Sequence, residues 1–212
     1  MLRNARHVLL AGALVAVLSA SVPPVPAQSS GLPPQNLTRL VGDAELIVVA
    51  QVMRVTDGLT PQGEPYTEVT LGIDECPKGA IRGGARLTFR QFGLVAPRKM
   101  PDGQMLLTVS PDGYPHWQEG ERVIAFLEQP EPRTGLQTTV GLAHGKLNLL
   151  DGRAVNELGN RGLFDGVRVN GGLLTERERA MFSSRGPVDA ATFVGLVGRA
   201  VRENWIATGK MR

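Results

Sequence analysis

The stretch Thr67–Phe89, TEVTLGIDECPKGAIRGGARLTF, limits the fold more than any other part of the chain. Thr67, Val69, Leu71 and Ile73 alternate with Glu68, Thr70 and Gly72. A period of two places one set on a buried face and the other in water. The return, Ala85 to Phe92, alternates again, with Leu87 and Phe89 inward and Arg86, Thr88 and Arg90 outward. Between them Pro77 lacks a ladder donor and is expected to end the pairing, while Gly79, Gly83 and Gly84 permit a tight reversal. A chain written this way commits to antiparallel β-structure with one wet face.

The flanking segments extend this pattern. Glu45–Val55 is dense in Val and Ile and reads as the first strand. Tyr66–Ile73 is the second and Ala85–Phe92 the third. Glu121–Glu128, ERVIAFLE, is a further strand, and Leu136–Leu150 supplies one or two more. Asp151-Gly152 between KLNLL and RAVNEL is a two-residue hairpin turn. The period changes between Pro187 and Asn204. There Phe193, Val197, Ala200 and Val201 fall on one helical face, opposite Arg199, Arg202 and Glu203, with Pro187 suited to the first turn. The fold class expected is mainly β: a small OB-like β-barrel of five to six strands with one C-terminal α-helix.

The N-terminus reads as a signal peptide. Arg3, Arg6 and His7 precede an apolar run, Val8–Ala20, and Val25-Pro26-Ala27 offers small residues for cleavage after Ala27. The run is well short of the roughly 20 residues of a membrane-spanning helix. The organisation expected is therefore a signal peptide over 1–27, a flexible Ser/Gly/Pro-rich leader over 28–42, an OB-like barrel domain over 43–175 and a helical extension over 176–212 packed on the barrel. Asn36-Leu37-Thr38 fits a glycosylation sequon. Export places the protein in the periplasm or outside the cell, with no stable membrane insertion once the signal is removed.

Charge narrows the partners. The chain has 23 basic and 20 acidic residues, and a leader carrying Arg3 and Arg6 accounts for most of the excess. Arg82, Arg86, Arg90, Arg98 and Lys99 form a basic strip, but aromatic residues are only 5% of the chain. Single-stranded nucleic acid needs stacking platforms, so no nucleic-acid partner is expected. The partner expected is another extracytoplasmic protein.

Catalytic and metal chemistry is sparse. His116, His144 and the single cysteine, Cys76, are scattered and too few for a structural zinc site. The sequence contains no HExxH, GxSxG or P-loop. No catalytic residue, metal ligand or cofactor is expected, and the chain reads as a non-enzyme. Cys76 stands at a strand end, and three readings stay open: a buried inert thiol, an intermolecular disulfide or a reactive thiol.

Gly93–Gly120 is the odd segment. Two Pro-Asp-Gly triplets, 101–103 and 111–113, break it, yet it holds Met100, Met105, Leu106, Leu107, Tyr114 and Trp117. It reads as an excursion over a barrel mouth. Its residues either complete the core or form a partly mobile flap that grips a partner. Met100, Met105, Leu107, Tyr114, His116 and Trp117 are the candidate binding surface, since Met, Tyr and Trp suit adaptable contacts and hot spots.

GDAELIVVAQV, TEVTLGIDECPKGAIRGG and HWQEGERVIAFLE together resemble the netrin-like modules related to the tissue inhibitors of metalloproteinases. The chain is also similar to uncharacterised exported bacterial proteins that share this order and close with a helix. The resemblance spans roughly Asp43 to Leu150 and implies an OB-like barrel with Cys76 in a hydrophobic slot before Lys78-Gly79. It does not carry the inhibitory mechanism, which needs an N-terminal cysteine. Two functions follow: an exported non-catalytic binding or inhibitor-like module, or a structural subunit of an envelope or secreted complex.

Overall fold

The computed structural model describes residues 35–212 except Pro101 and Thr108. The expected signal peptide and the first part of the expected leader lie outside these residues.

The alternating segments pair as their pattern requires. The strands β1 (Leu46–Leu59), β2 (Pro65–Lys78) and β3 (Arg86–Phe92) form a meander. Thr67, Val69, Leu71 and Ile73 are buried on β2, and Phe89 on β3, while Arg86, Thr88 and Arg90 are exposed. The strands β6 (Arg122–Leu127), β7 (Lys146–Leu150), β8 (Arg153–Asn156) and β9 (Val188–Asp189) continue one sheet in the order β3-β2-β1-β6-β7-β8-β9, with every pair antiparallel. Two short strands, β4 (Arg98–Lys99) and β5 (Met105–Leu106), form a separate ribbon in the excursion. Asp151 and Gly152 both take positive φ, +48° and +72°, as the primed hairpin turn between β7 and β8 demands.

The molecule is mainly β, as expected. The seven-stranded sheet is open, with β3 at one edge and β9 at the other. Only isolated contacts lead back to β3, among them the Gln137 N–H donating to the Arg90 carbonyl at 2.7 Å. The segment before β7 is a 3₁₀ turn, Leu142–Gly145, with single bridges instead of a second full strand.

Pro77 does not end the β1–β2 ladder. The register runs from Val49↔Glu75 to Ile47↔Lys78, so two residues of β1 oppose three of β2. Pro77 sits in this bulge, where a missing donor costs no ladder bond.

Three helices are present among the described residues, where one was expected. α1 (Leu37–Asp43) occupies residues assigned to the flexible leader. Leu37, Leu40 and Val41 recur at helical spacing and are buried. Asn36 caps the helix by accepting from the Arg39 N–H at 3.1 Å, and its Nδ2 donates to the Asp165 carbonyl at 3.0 Å. The sequon asparagine is thus spent on the fold. Lys78 Nζ closes the other end, donating to the carbonyls of Val41 and Gly42 at 2.9 and 3.2 Å. α2 (Glu176–Phe182) starts on a capping box between Thr175 and Glu178. α3 (Ala190–Arg202) starts at Asp189 and not at Pro187, because residues 188–189 pair with β8 first.

These elements create two cores separated by the sheet. Ile47, Val49, Ile124 and Phe126 face the helices and pack with Leu40, Phe193, Leu196 and Trp205. Leu46, Val48, Ala50, Val123, Ala125 and Leu127 face the other way and pack with Val69, Leu71, Phe89 and Trp117. β1 and β6 are therefore buried on both faces, which explains their nearly continuous apolar runs. Cys76 is only half-buried: it packs at the edge of the second core, and its Sγ donates to the Lys78 carbonyl at 3.2 Å. A fully buried thiol was the first of the three readings, and the structure moderates it.

Candidate functional site

The second core ends in a polar plug roofed by Trp117. Register dictates the plug's main member. Lys146 pairs with Ala125 across β6 and β7, so it shares the face that Ala125 turns to the second core. Its side chain is 1% exposed, with Nζ 2.8 Å from Glu121 Oε2. An ammonium so far from water needs a partner and further polar contacts. Glu121 supplies the charge, and the Trp117 ring, 5.2 Å from Nζ to its centroid, supplies a π-face. Glu121 also accepts from the Gln118 N–H at 3.1 Å, which holds the turn before β6.

Trp117 is fixed on its other sides. Phe89 meets it edge-on at 5.4 Å between centroids. Its indole N–H donates to Gln91 Oε1 at 3.2 Å, and Gln91 Nε2 donates to the Pro115 carbonyl at 3.2 Å. Thr67 donates to the Gly93 carbonyl at 2.8 Å. These buried polar groups satisfy one another and immobilise the indole.

A cleft of about 380 Å³ opens outside this plug, with Trp117, His116, Gln91, Thr67, Val95 and Val109 among its walls. The excursion forms its far side. Gly93 (φ +101°) turns the chain out of β3, and a Cβ there would lie 2.5 Å from the Ser110 Cα, so only glycine permits this close crossing. The Ser110 N–H donates to the Leu94 carbonyl at 3.0 Å, which shuts the excursion into a loop. Asp57 on β1 pins that loop, pairing with Arg98 and accepting from the Val95 N–H at 3.0 Å. A second pin is the Ala143 N–H donating to the Gly113 carbonyl at 2.8 Å. His116 is bound to Glu157 through its backbone N–H (2.9 Å) and through Nδ1 (3.0 Å), with its ring largely exposed.

The six residues singled out from the sequence divide into three groups. His116 and Trp117 line the cleft together. Met105 and Leu107 are 53% and 68% exposed on the loop. Met100 and Tyr114 are half-buried and line neither this cleft nor its floor. Sequence reading missed Val95 and Val109, which are 58% and 39% exposed, and the buried Lys146 beneath the indole. The WQEGE segment places Trp117 and Glu121 four residues apart. That was the only available signal, because Lys146 enters through strand pairing.

His144 is buried on the 3₁₀ turn, two residues before Lys146. Burial pushes its imidazole below the usual histidine range, and Nδ1 has no hydrogen-bond partner among the described residues. Among the described residues, no three His, Cys, Asp or Glu side chains are grouped to hold a metal, and no helix is long and apolar enough to cross a membrane. Two members of the basic strip are paired, Arg90 with Glu68 and Arg98 with Asp57.

Comparison with protein-family models, curated proteins and solved structures finds no match to this chain.

Proposed function

We propose that this chain is an exported, non-catalytic binding module that grips another extracytoplasmic protein at the Trp117 cleft. The observation that carries the reading is the contrast between floor and rim. The polar groups under Trp117 are spent on one another, which supports a rigid floor. The rim presents Val95 and Val109 to solvent, and the same loop exposes Met105 and Leu107 further along. Exposed apolar side chains on a single segment beside a cleft suit a protein contact.

The finer architecture belongs to the same reading. The β3-β2-β1-β6 meander wraps the second core, and residues 136–140 run from the end of β6 back to Arg90. This supports an OB-like, netrin-like half-barrel closed by irregular backbone, with the helices on its outer face. Export, periplasmic or extracellular, rests on the leader sequence. No cofactor and no nucleic acid enter this reading. A second reading, an assembly subunit, is favoured by the position of β3 at the sheet edge.

The test is Leu107→Asp in the exported protein, with partners captured by crosslinking from the host's own envelope or secretome. The substitution lies on an exposed residue, so stability should move by less than about 0.5 kcal/mol. The crosslinked species should disappear. If a species of equal yield survives both Leu107→Asp on the loop and Val95→Asp on the cleft rim, the cleft and its loop are not the grip.

A further inference from the structure

A second concave site lies on the helical side of the molecule, with no lining residue in common with the Trp117 cleft. It is a shallow depression of about 360 Å³ between α2 and α3, and three arginines line it: Arg177, Arg199 and Arg202. The one carboxylate in its wall, Glu178, is 5% exposed and fully engaged. It accepts from the Thr175 N–H (2.7 Å), the Thr175 hydroxyl (2.9 Å) and Arg199 Nη2 (2.7 Å). Glu178 therefore neutralises Arg199 and has nothing left for the other two. Asp189 is within electrostatic reach of Arg177, but it caps α3 by accepting from the Thr192 N–H at 2.8 Å.

Two further details fix how the arginines are held. Arg199 is held in place from both sides, by Glu178 and by the Trp205 ring 5.4 Å from its guanidinium carbon. Arg202 lies back along its own helix over Gly198, where a Cβ would come within 3.0 Å of its Nη1. The missing side chain at 198 is what lets this guanidinium lie against α3. Neither Arg177 nor Arg202 forms an ion pair among the described residues. With Arg199 paired to Glu178, Arg177 and Arg202 bring two unpaired positive charges to one depression, and an anion shared between them would offset their repulsion.

We propose that this depression binds a small tetrahedral oxyanion of the phosphate type. The planar forks of Arg177 and Arg202 supply paired donors that match its oxygens, and the Arg199–Glu178 pair completes the wall without adding net charge. The ligand is either free phosphate or the phosphate of a monoester, since both present the same oxygens. The site stands independently of the Trp117 cleft.

The test is a titration of the purified protein with inorganic phosphate, and separately with glycerol phosphate, against chloride at matched ionic strength. Backbone amide NMR shifts and thermal stability are the readouts. Phosphate should raise the melting temperature beyond chloride and shift the amides of residues 175–178 and 192–202. Arg177→Gln and Arg202→Gln, both at exposed positions, should each weaken binding about tenfold. Gly198→Ala should weaken it by displacing Arg202. Saturation by both probes assigns the site to phosphate itself, whereas saturation by glycerol phosphate alone assigns it to a monoester. A response equal to that of chloride, or one unchanged in the Arg177→Gln/Arg202→Gln double variant, overturns the proposal.

Discussion

The two cores lie back to back on the same strands and are finished differently. The helix-side core is closed by side chains. α1, α3 and Trp205 cover it, and its apolar residues end against other apolar residues. The core on the opposite face is closed by a polar plug, Lys146–Glu121 and Gln91–Trp117, with a cleft outside it. Burial alone accounts for the first. The second carries a buried charge and an apolar rim that stability does not require, since an ion pair in such a place is rarely worth more than a hydrophobic replacement. The contrast separates a core closed by apolar packing alone from one that ends in a polar plug and a cleft, and the proposed grip on a partner rests on the second.

Phe193→Ala is the largest expected effect. Phe193 is fully buried and meets Phe126 edge-on at 6.4 Å. Removing it should cost about 3–5 kcal/mol in denaturant unfolding and should loosen both cores together, because β6 belongs to each. If the β2–β3 amides kept their protection while α3 melted, the cores would be independent and the contrast would need redrawing.

Lys146→Met should cost less, about 1–3 kcal/mol. It removes a charged hydrogen bond, but the Glu121 side chain is 22% exposed and recovers water. Trp117 fluorescence should change, since the ring loses the cation beside it. A loss as large as that of Phe193→Ala would mean that the plug is structural and not merely a fitting of the mouth.

His144 gives the smallest and most specific effect. Its folded pKa lies below its unfolded value because burial disfavours the charged form. The unfolded chain therefore takes up a proton first as pH falls. The stability contributed by the neutral imidazole is present above the unfolded value of roughly 6.5, and it is lost as pH falls through the folded pKa. His144→Gln should flatten stability against pH in that acidic window, as followed by urea unfolding at several pH values. An unchanged slope would show that other groups set it.

Much of this was legible in the sequence, for identifiable reasons. The alternation in Thr67–Ile73 and Leu87–Phe89 is local and survived intact, as did the Asp151-Gly152 turn. The double burial of β1 was hidden, because a run such as Leu46–Ala50 reads as a strand whichever faces it buries. α1 was missed although Leu37, Leu40 and Val41 have helical spacing, because the Pro-rich stretch before it suggested leader and Asn36 suggested a sequon instead of a cap. At the cleft, Trp117 and His116 announced themselves by residue type. Val95 and Val109 did not, since single valines carry no signal until Gly93 and Ser110 bring them to one rim. Lys146 became visible only once β6 and β7 were paired.

Native-state hydrogen exchange tests the central claim most directly, by comparing the excursion with the strands beneath it. The account predicts early exchange for residues 102–107, slow exchange for Val69 and Val123–Leu127, and new protection of 102–107 when the partner captured through Leu107 is bound. Exchange at 102–107 as slow as at Val69 and Val123 in the free protein would contradict it, because the loop would then be core and not a grip.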